Sequence, residues 1–503
     1  MSWLLVQEYF VFLPHMLCAR RDSQNESLFL FRVVSVSCER GAFSGAGYSM
    51  RRAEGKLLLY AQDTLGRQIG LRTATALVVG EVIGVGIFLT PAGMAKSLGS
   101  PAWLLIVWLV MGAMALCGAL CYGELAARLP EAGGGYVYLR EAYGPPLAFL
   151  YGWMALLVMD PGITAALAVG MSSYAGYGLG LSPIAIKILA IGVIIALAVI
   201  NIRGVRPGAW LVRWLTILKL SSLIFLLLWG FGFQLGSWSN FTPLLSRGAQ
   251  SIPLIGALAG GMVSAFFSFG GWWDLSKLAG EVRDPARTLP KALFYGVVVI
   301  TLAYLLISAV FIYLVPRERV ASGETFAAQA GEALFGRVGG QVFSVVVIIA
   351  VLGSMAALMM SAPRVYFAMA RDGLFIPSAA SLHPRFGTPA RAIVLQAALA
   401  SLLVALGSFD EIIAYFVFVV VIFIALTVAA LFVLRRRPAG EVMYLTPGYP
   451  LIPIIFLSLI VLLLVLVGSD KPKEAFLGLG VVALGLPVYY LLFRHKNMPT
   501  KAK

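Results

Sequence analysis

The chain has 503 residues, 60% of them apolar and only 12% charged, with a mean hydropathy of +0.90. Soluble cores stop growing near ~250–300 residues, so the composition excludes a soluble enzyme, a disordered scaffold, a collagen-like fibre and a disulfide-stapled secreted domain. The formal charge of +15, from 38 Lys and Arg against 23 Asp and Glu, carries no basic stripe interleaved with aromatics, which argues against nucleic acid and for the basic loops of a membrane protein.

Residues 1–60 read as an N-terminal tail. Short apolar pieces alternate there with Arg20, Arg21, Asp22, Glu26, Glu39 and Arg40, without a helical period, and Met50 is the expected natural start. Downstream, a membrane-spanning helix needs ~20 mostly apolar residues. Twelve segments qualify: 71–95, 102–127, 145–173, 183–202, 210–234, 253–278, 291–315, 339–363, 392–408, 411–434, 450–468 and 474–493. Their apolar runs are continuous, where a barrel strand would alternate. With the N-terminus inside, the loops and span ends from Met50 onward place 25 Lys and Arg inside and 8 outside. That asymmetry favours two cytoplasmic termini and an even number of spans.

Two spans are interrupted. The first reads Gly80-Glu-Val-Ile-Gly-Val-Gly-Ile-Phe-Leu-Thr-Pro91, and the sixth reads Phe266-Phe-Ser-Phe-Gly-Gly-Trp-Trp-Asp274. Each carries a close glycine pair in mid-membrane, where unwound backbone is tolerated only if it is buried in protein or lines a cavity. Breaks at corresponding positions of two five-helix halves point to an inverted-repeat secondary transporter with a midplane site. A half-helix N-terminus offers N–H groups and a positive dipole end, and a half-helix C-terminus offers carbonyls. Such a pair of breaks suits a zwitterionic amino acid. Gly84, Val85 and Gly86 are expected to donate to its carboxylate, and carbonyls near Val82, Ile83 and Phe267 to take its ammonium. Ser268, Phe269 and Gly270 complete the expected substrate site.

At these residues the chain resembles the amino acid–polyamine–organocation superfamily, and most closely its L-type amino acid transporter branch and bacterial relatives. The resemblance rests on Gly84-Val-Gly-Ile-Phe88, Phe267-Ser-Phe-Gly-Gly-Trp272, Glu281-Val-Arg-Asp-Pro-Ala-Arg-Thr-Leu-Pro290, Gly123-Glu-Leu125 with Gly133-Gly-Gly-Tyr136, and Arg364 through Arg371-Asp-Gly-Leu374. It covers about residues 65–495 and implies ten helices in a five-plus-five inverted repeat plus two peripheral helices. The repeats then fall at 65–235 and 250–435, with the last two helices at 448–495. It also implies an aromatic gate at Phe267 and alternating access by rocking of one bundle against the other. Val85 departs from the usual serine, which keeps the backbone donor and loses a hydroxyl.

Ionisable groups at membrane depth are rare and mark function. Lys219, in Leu215-Thr-Ile-Leu-Lys-Leu-Ser-Ser222, resembles the lysine that this branch places where sodium-coupled relatives bind sodium. It is expected to tie helix one to helix eight near Gly353 and Ser354 and to make transport sodium-independent; the bland alternative is a snorkelling lysine. Glu81 reads as a proton-titrating group or as a buried acid fixed by hydrogen bonds. Asp160, before Pro161, neutralises a basic partner or lines the vestibule, and Asp274 reads as a polar flank. Glu124 is given a role in a cytoplasmic gate by the resemblance alone.

The expected function is sodium-independent transport of amino acids across the inner or plasma membrane, by exchange or proton symport. Neutral, apolar substrates are favoured by Phe267, Phe269 and Trp272; cationic amino acids or polyamines remain the alternative because of Asp160 and Glu81. A membrane enzyme is disfavoured, since His383 lacks a cysteine or His-x-x-His partner, and no Walker loop is present. No metal, cofactor or nucleic acid is expected; the partners are the lipid bilayer and the amino acid. Among four cysteines, Cys18 and Cys38 lie in the tail and Cys117 and Cys121 on one helix, so no helper subunit is predicted.

Overall fold

The computed structural model describes residues 65–494 apart from 85, 246–252, 317–325, 407–408, 438–441 and 471. The tail 1–60, with Cys18 and Cys38, and the residue Val85 lie outside the described residues. Within them the chain is helical, and the single β-type contact is an isolated bridge between Ile69 and Val282.

The helices are α1 (Leu71–Val82), α2 (Gly86–Leu98), α3 (Pro101–Arg128), α4 (Gly135–Tyr143), α5 (Pro145–Met154), α6 (Asp160–Leu179), α7 (Pro183–Ile202), α8 (Val205–Gly232) and α9 (Leu254–Phe269). They continue as α10 (Pro285–Leu314), α11 (Phe326–Phe335), α12 (Gly339–Ser361), α13 (Pro363–Arg371), α14 (Ala390–Leu406), α15 (Phe409–Arg435), α16 (Leu451–Asp470), α17 (Pro472–Ala483) and α18 (Gly485–Leu492). Their starts follow local chemistry. Ser100 and Ser182 cap α3 and α7, each accepting from a backbone N–H three residues on and each followed by proline at the first helical position.

Among the described residues nine helices are long and apolar enough to cross a membrane. Three of the twelve expected segments fall short for separate reasons. The first is cut into α1 and α2, of 12 and 13 residues. The ninth, α14, has 17 residues, and the last is divided at Leu484 into α17 and α18. The eighth is longer than expected, because α12 runs on into α13 as one apolar stretch from Gln341 to Arg371.

The central helices pack on one another: α10 lies along α3 and α1, and α1 also touches α8 and α12. The outer helices keep large apolar residues exposed, such as Ile184, Ile188 and Ile195 on α7 and Leu218, Phe225 and Leu228 on α8. Such faces belong against lipid.

One irregularity matters for the site. Between α5 and α6 the chain makes a π-helical turn, Ala155–Met159. Pro161 follows it and cannot donate a backbone hydrogen bond, and a widened turn absorbs that loss. Asp160 emerges fully buried at the start of α6.

Candidate functional site

Both glycine pairs break their helices. Helix α1 ends at Val82, and α2 starts at Gly86. In the sixth span α9 ends at Phe269, Gly270 is extended, and Gly271 takes φ +106°, a left-handed conformation suited to glycine. A ten-residue 3-10 helix, Trp272–Glu281, follows. The two breaks meet: a Cβ on Gly86 would lie 2.8 Å from Ser268 Oγ and 2.9 Å from Ser268 Cα, so only a glycine lets α2 approach α9 this closely.

A cavity of about 90 Å³ opens at this junction. One water centre needs ~10–15 Å³, so the space suits a handful of heavy atoms. Val82, Gly84, Gly86, Phe267, Ser268 and Gly270 border it, together with Glu81, Asp274 and Ser354. Its apolar wall comes from Met159 and Ile163 near the π-helical turn and from Phe266, Trp273 and Leu358.

The hinge backbone is largely satisfied from within. Gly84 N–H, expected to serve a carboxylate, donates to Val82 O at 2.7 Å. The Tyr304 hydroxyl lies 3.0 Å from Val82 O and 2.6 Å from Ser268 O, and so bridges the two breaks. Gly270 N–H donates to Phe267 O at 3.1 Å. The first N–H groups of α2, starting at Gly86, are those that helix geometry leaves without a partner in the preceding turn. Ile83 does not border the cavity; its carbonyl lies 3.5 Å from Ser354 Oγ.

Two expected aromatics turn away. Phe269 packs in a buried cluster with Trp108 and Tyr304, at ring separations of 6.1 and 5.1 Å. Trp272 packs on Tyr122 at 5.1 Å, and Trp273 lines the cavity in its place. At the helical period of 3.6, Phe267 and Phe269 stand on different faces of α9, and only Phe267 borders the cavity.

Lys219 is fully buried on α8, which rules out snorkelling. Its ammonium donates to Gly80 O at 2.8 Å and to Ser354 Oγ at 3.4 Å, tying α1 to α12 beside Gly353. The charged residues on the other side of α1 form a second group. Lys277 lies 3.0 Å from Asp160 Oδ1 and 3.0 Å from Asp274 Oδ1. Tyr366 on α13 donates to Asp160 Oδ2 at 3.1 Å. In a 3-10 helix residues i and i+3 eclipse one another, which stacks Lys277 on Asp274. Asp274 is thus a buried ion-paired acid and not a polar flank, and Asp160 meets a basic partner. Lys277, which hydropathy assigns to the cytoplasmic loop, is fully buried. Arg364, also counted on the inside, is buried against Glu281 at 2.8 Å. Removing these two from 25 leaves the charge asymmetry intact.

Glu124 lies apart from the cavity. Fully buried, it accepts from Arg128 Nε and Arg435 Nε at 2.9 Å each and from Thr446 N–H at 2.7 Å. The Arg435 guanidinium sits 3.7 Å from the Tyr449 ring centroid. Among the described residues no group of His, Cys, Asp and Glu could hold a metal ion.

An apolar helical protein with two helices broken around a buried cavity has the build of a membrane solute transporter. Comparison with known proteins narrows this class. The Amino acid permease family model matches residues 69–476. The serine/threonine exchanger SteT of Bacillus subtilis is 32% identical over 449 residues, covering 87% of this chain and 100% of the relative. The human large neutral amino acids transporter small subunit 2 is 29% identical, covering 86% of this chain and 82% of its own. The human b(0,+)-type amino acid transporter 1 is 27% identical, covering 88% and 92%. The chain belongs to the amino acid permease family, within the amino acid–polyamine–organocation superfamily and beside its L-type branch and bacterial relatives. It is a multi-pass membrane transporter of amino acids and not an enzyme.

Proposed function

We propose that this protein is a sodium-independent transporter of small and medium neutral amino acids, working by alternating access as an exchanger or proton symporter. The observation that carries the reading is the cavity held between two glycine-broken helices, with little charge facing most of its wall. The substrate carboxylate meets the N-terminus of α2 at Gly86. The ammonium exchanges for the internal partners of the Val82 and Phe267 carbonyls. Phe267 closes the cavity as the gate. Lys219 supplies the fixed cation that ties Gly80 to Ser354, which is the support for sodium independence, and Glu81 takes part in coupling. In this reading twelve helices form two inverted five-helix repeats, 65–235 and 250–435, with a peripheral pair at 448–495 and both termini in the cytoplasm. The relatives are named a serine/threonine exchanger and a large neutral amino acids transporter, in keeping with a neutral substrate. The human relative is named a small subunit. Among the described residues the cysteines, Cys117 and Cys121, both lie within α3, and no disulfide-tethered partner is proposed.

The deciding measurement is uptake of labelled amino acids into proteoliposomes, with and without sodium and internal amino acid. Serine, threonine or leucine uptake that is stimulated by internal amino acid and indifferent to sodium is the expected outcome; dependence on sodium overturns the reading. A second reading, transport of cationic amino acids or polyamines, is favoured by the Glu81 and Asp274 carboxyls at the cavity edge. It predicts lysine or putrescine uptake in place of serine.

A further inference from the structure

Three carboxyl groups and one ammonium meet beside the cavity. Glu81 comes from α1, Asp160 from α6, and Asp274 and Lys277 from the 3-10 helix. Glu81 and Asp274 border the same cavity, and a Cβ on Gly271, three residues before Asp274, would lie 3.1 Å from Glu81 Cγ. Lys277 contacts Asp160 and Asp274, with Tyr151 also near. Tyr366 donates to Asp160, and Tyr122 lies in the same field. Lys219 is bound to the Gly80 carbonyl and makes no ion pair among the described residues. With every acid ionised, the group carries two negative charges more than Lys277 can offset. At membrane depth such an excess is strongly disfavoured, and neighbouring carboxyls respond by sharing a proton.

We propose that Glu81 and Asp274 hold one exchangeable proton between them and that this proton is the ion coupled to amino acid transport. The reading rests on the transporter assignment above and deepens it by naming the coupling site. Burial argues for a proton over a substrate ammonium. Glu81 Oε1 is shut off from solvent and has no hydrogen-bond partner, and Asp274 Oδ1 is equally enclosed, with the Lys277 ammonium 3.0 Å away. A substrate ammonium in the cavity would have to displace the packing around these two enclosed oxygens, whereas a proton needs no space. The chemistry is a simple association: one carboxylate oxygen gains H⁺ from water on one side and returns it to water on the other, with no other bond changed.

Lys277 makes the proton consequential. With the Glu81–Asp274 pair protonated, the ammonium is held by Asp160 across the contact with α6. With the pair deprotonated, a second negative charge draws it back toward Asp274 on its own helix. Proton occupancy therefore sets how firmly the 3-10 helix is fastened to α6, beside the gate residue Phe267.

The test uses the full chain in proteoliposomes with labelled L-serine as the probe. An inward gradient of about two pH units allows about 100-fold accumulation per coupled proton. Wild-type protein is expected to acidify the lumen, read by a trapped pH dye, on addition of external L-serine. In Glu81→Gln the ratio of gradient-driven uptake to L-serine counterflow is expected to fall about tenfold or more, and lumenal acidification to vanish. Asp274→Asn approaches the same pair from the other side and is expected to behave alike. Counterflow in the wild type without acidification overturns the proposal and leaves the transporter reading standing. Acidification that survives in both variants also overturns it. Wild-type protein that moves no amino acid in counterflow overturns the transporter reading, and the proposal with it.

Discussion

Replacing Lys277 with methionine isolates the buried charge group. Lys277 makes two contacts of 3.0 Å, to Asp160 and to Asp274. Without it, Asp160 keeps the Tyr366 hydroxyl at 3.1 Å, and Asp274 loses its one ion pair among the described residues. Breaking a buried ion pair by removing one partner costs about 3–5 kcal/mol, because the other charge stays buried and unpaired. Asp160→Asn leaves Lys277 its second acid, so its cost is about 1.5–3 kcal/mol, that of a hydrogen bond to a charged group. The double variant removes charge from both sides of one contact and is expected to be more stable than the sum of the singles implies, by about 2 kcal/mol. Independent sites add within about 0.3–0.5 kcal/mol. The assay is SDS titration of purified protein in mild detergent, followed by far-ultraviolet circular dichroism. Additive singles, or a Lys277→Met cost below about 1 kcal/mol, would refute the argument that this lysine offsets buried carboxylates.

Four further outcomes follow from the same geometry. Gly86→Ala drives a methyl into Ser268 backbone; overpacking of this kind costs about 1–3 kcal/mol, and serine counterflow should fall sharply while folded protein is still recovered on gel filtration. Tyr304→Phe strips the hydroxyl between Val82 O and Ser268 O and is expected to cost about 1–3 kcal/mol in SDS titration, with a raised KM for serine. Lys219→Met removes the 2.8 Å donor to Gly80 O and leaves it only the Ser354 hydroxyl at 3.0 Å, and sodium-independent exchange is expected to drop about tenfold, the equivalent of one buried hydrogen bond. Glu124→Ala leaves Arg128 and Arg435, both partly exposed, without their shared acid and should cost about 1.5–3 kcal/mol, that of a hydrogen bond to a charged group; Glu124→Gln keeps an acceptor for Thr446 and should cost less in the same titration.

The hinges were legible because glycine is a local signal. Gly84, Gly86, Gly270 and Gly271 announce a backbone that leaves the helix, whatever packs around it, and the breaks fall there. Lys219 was legible because a lysine within an apolar run has few destinations. The charge group beside the cavity was not. Lys277 stands where hydropathy declines toward a loop, and its partner Asp160 is 117 positions away. Its contact with Asp274 depends on 3-10 winding, which an apolar pattern does not distinguish from α-helix. Asp160 itself is aimed inward by a π-helical turn whose only sequence trace is Pro161. Tyr304 is one tyrosine in a long apolar helix, with no neighbour in sequence to mark it. Phe269 and Trp272 were misplaced for a related reason: an aromatic near a hinge can face the hollow or the core, and rotation about the helix axis decides which.

Tyr304 carries a single hydroxyl hydrogen but faces two acceptors, one on each broken helix. It must divide that hydrogen between them, and a full-strength bond to one weakens the other. If substrate occupies the Val82 carbonyl, the phenol is released to the Ser268 carbonyl, and departure of the ligand restores the choice. Occupancy on one severed span is thereby reported to the other through the reorientation of one O–H bond, with no backbone displacement required to carry the message.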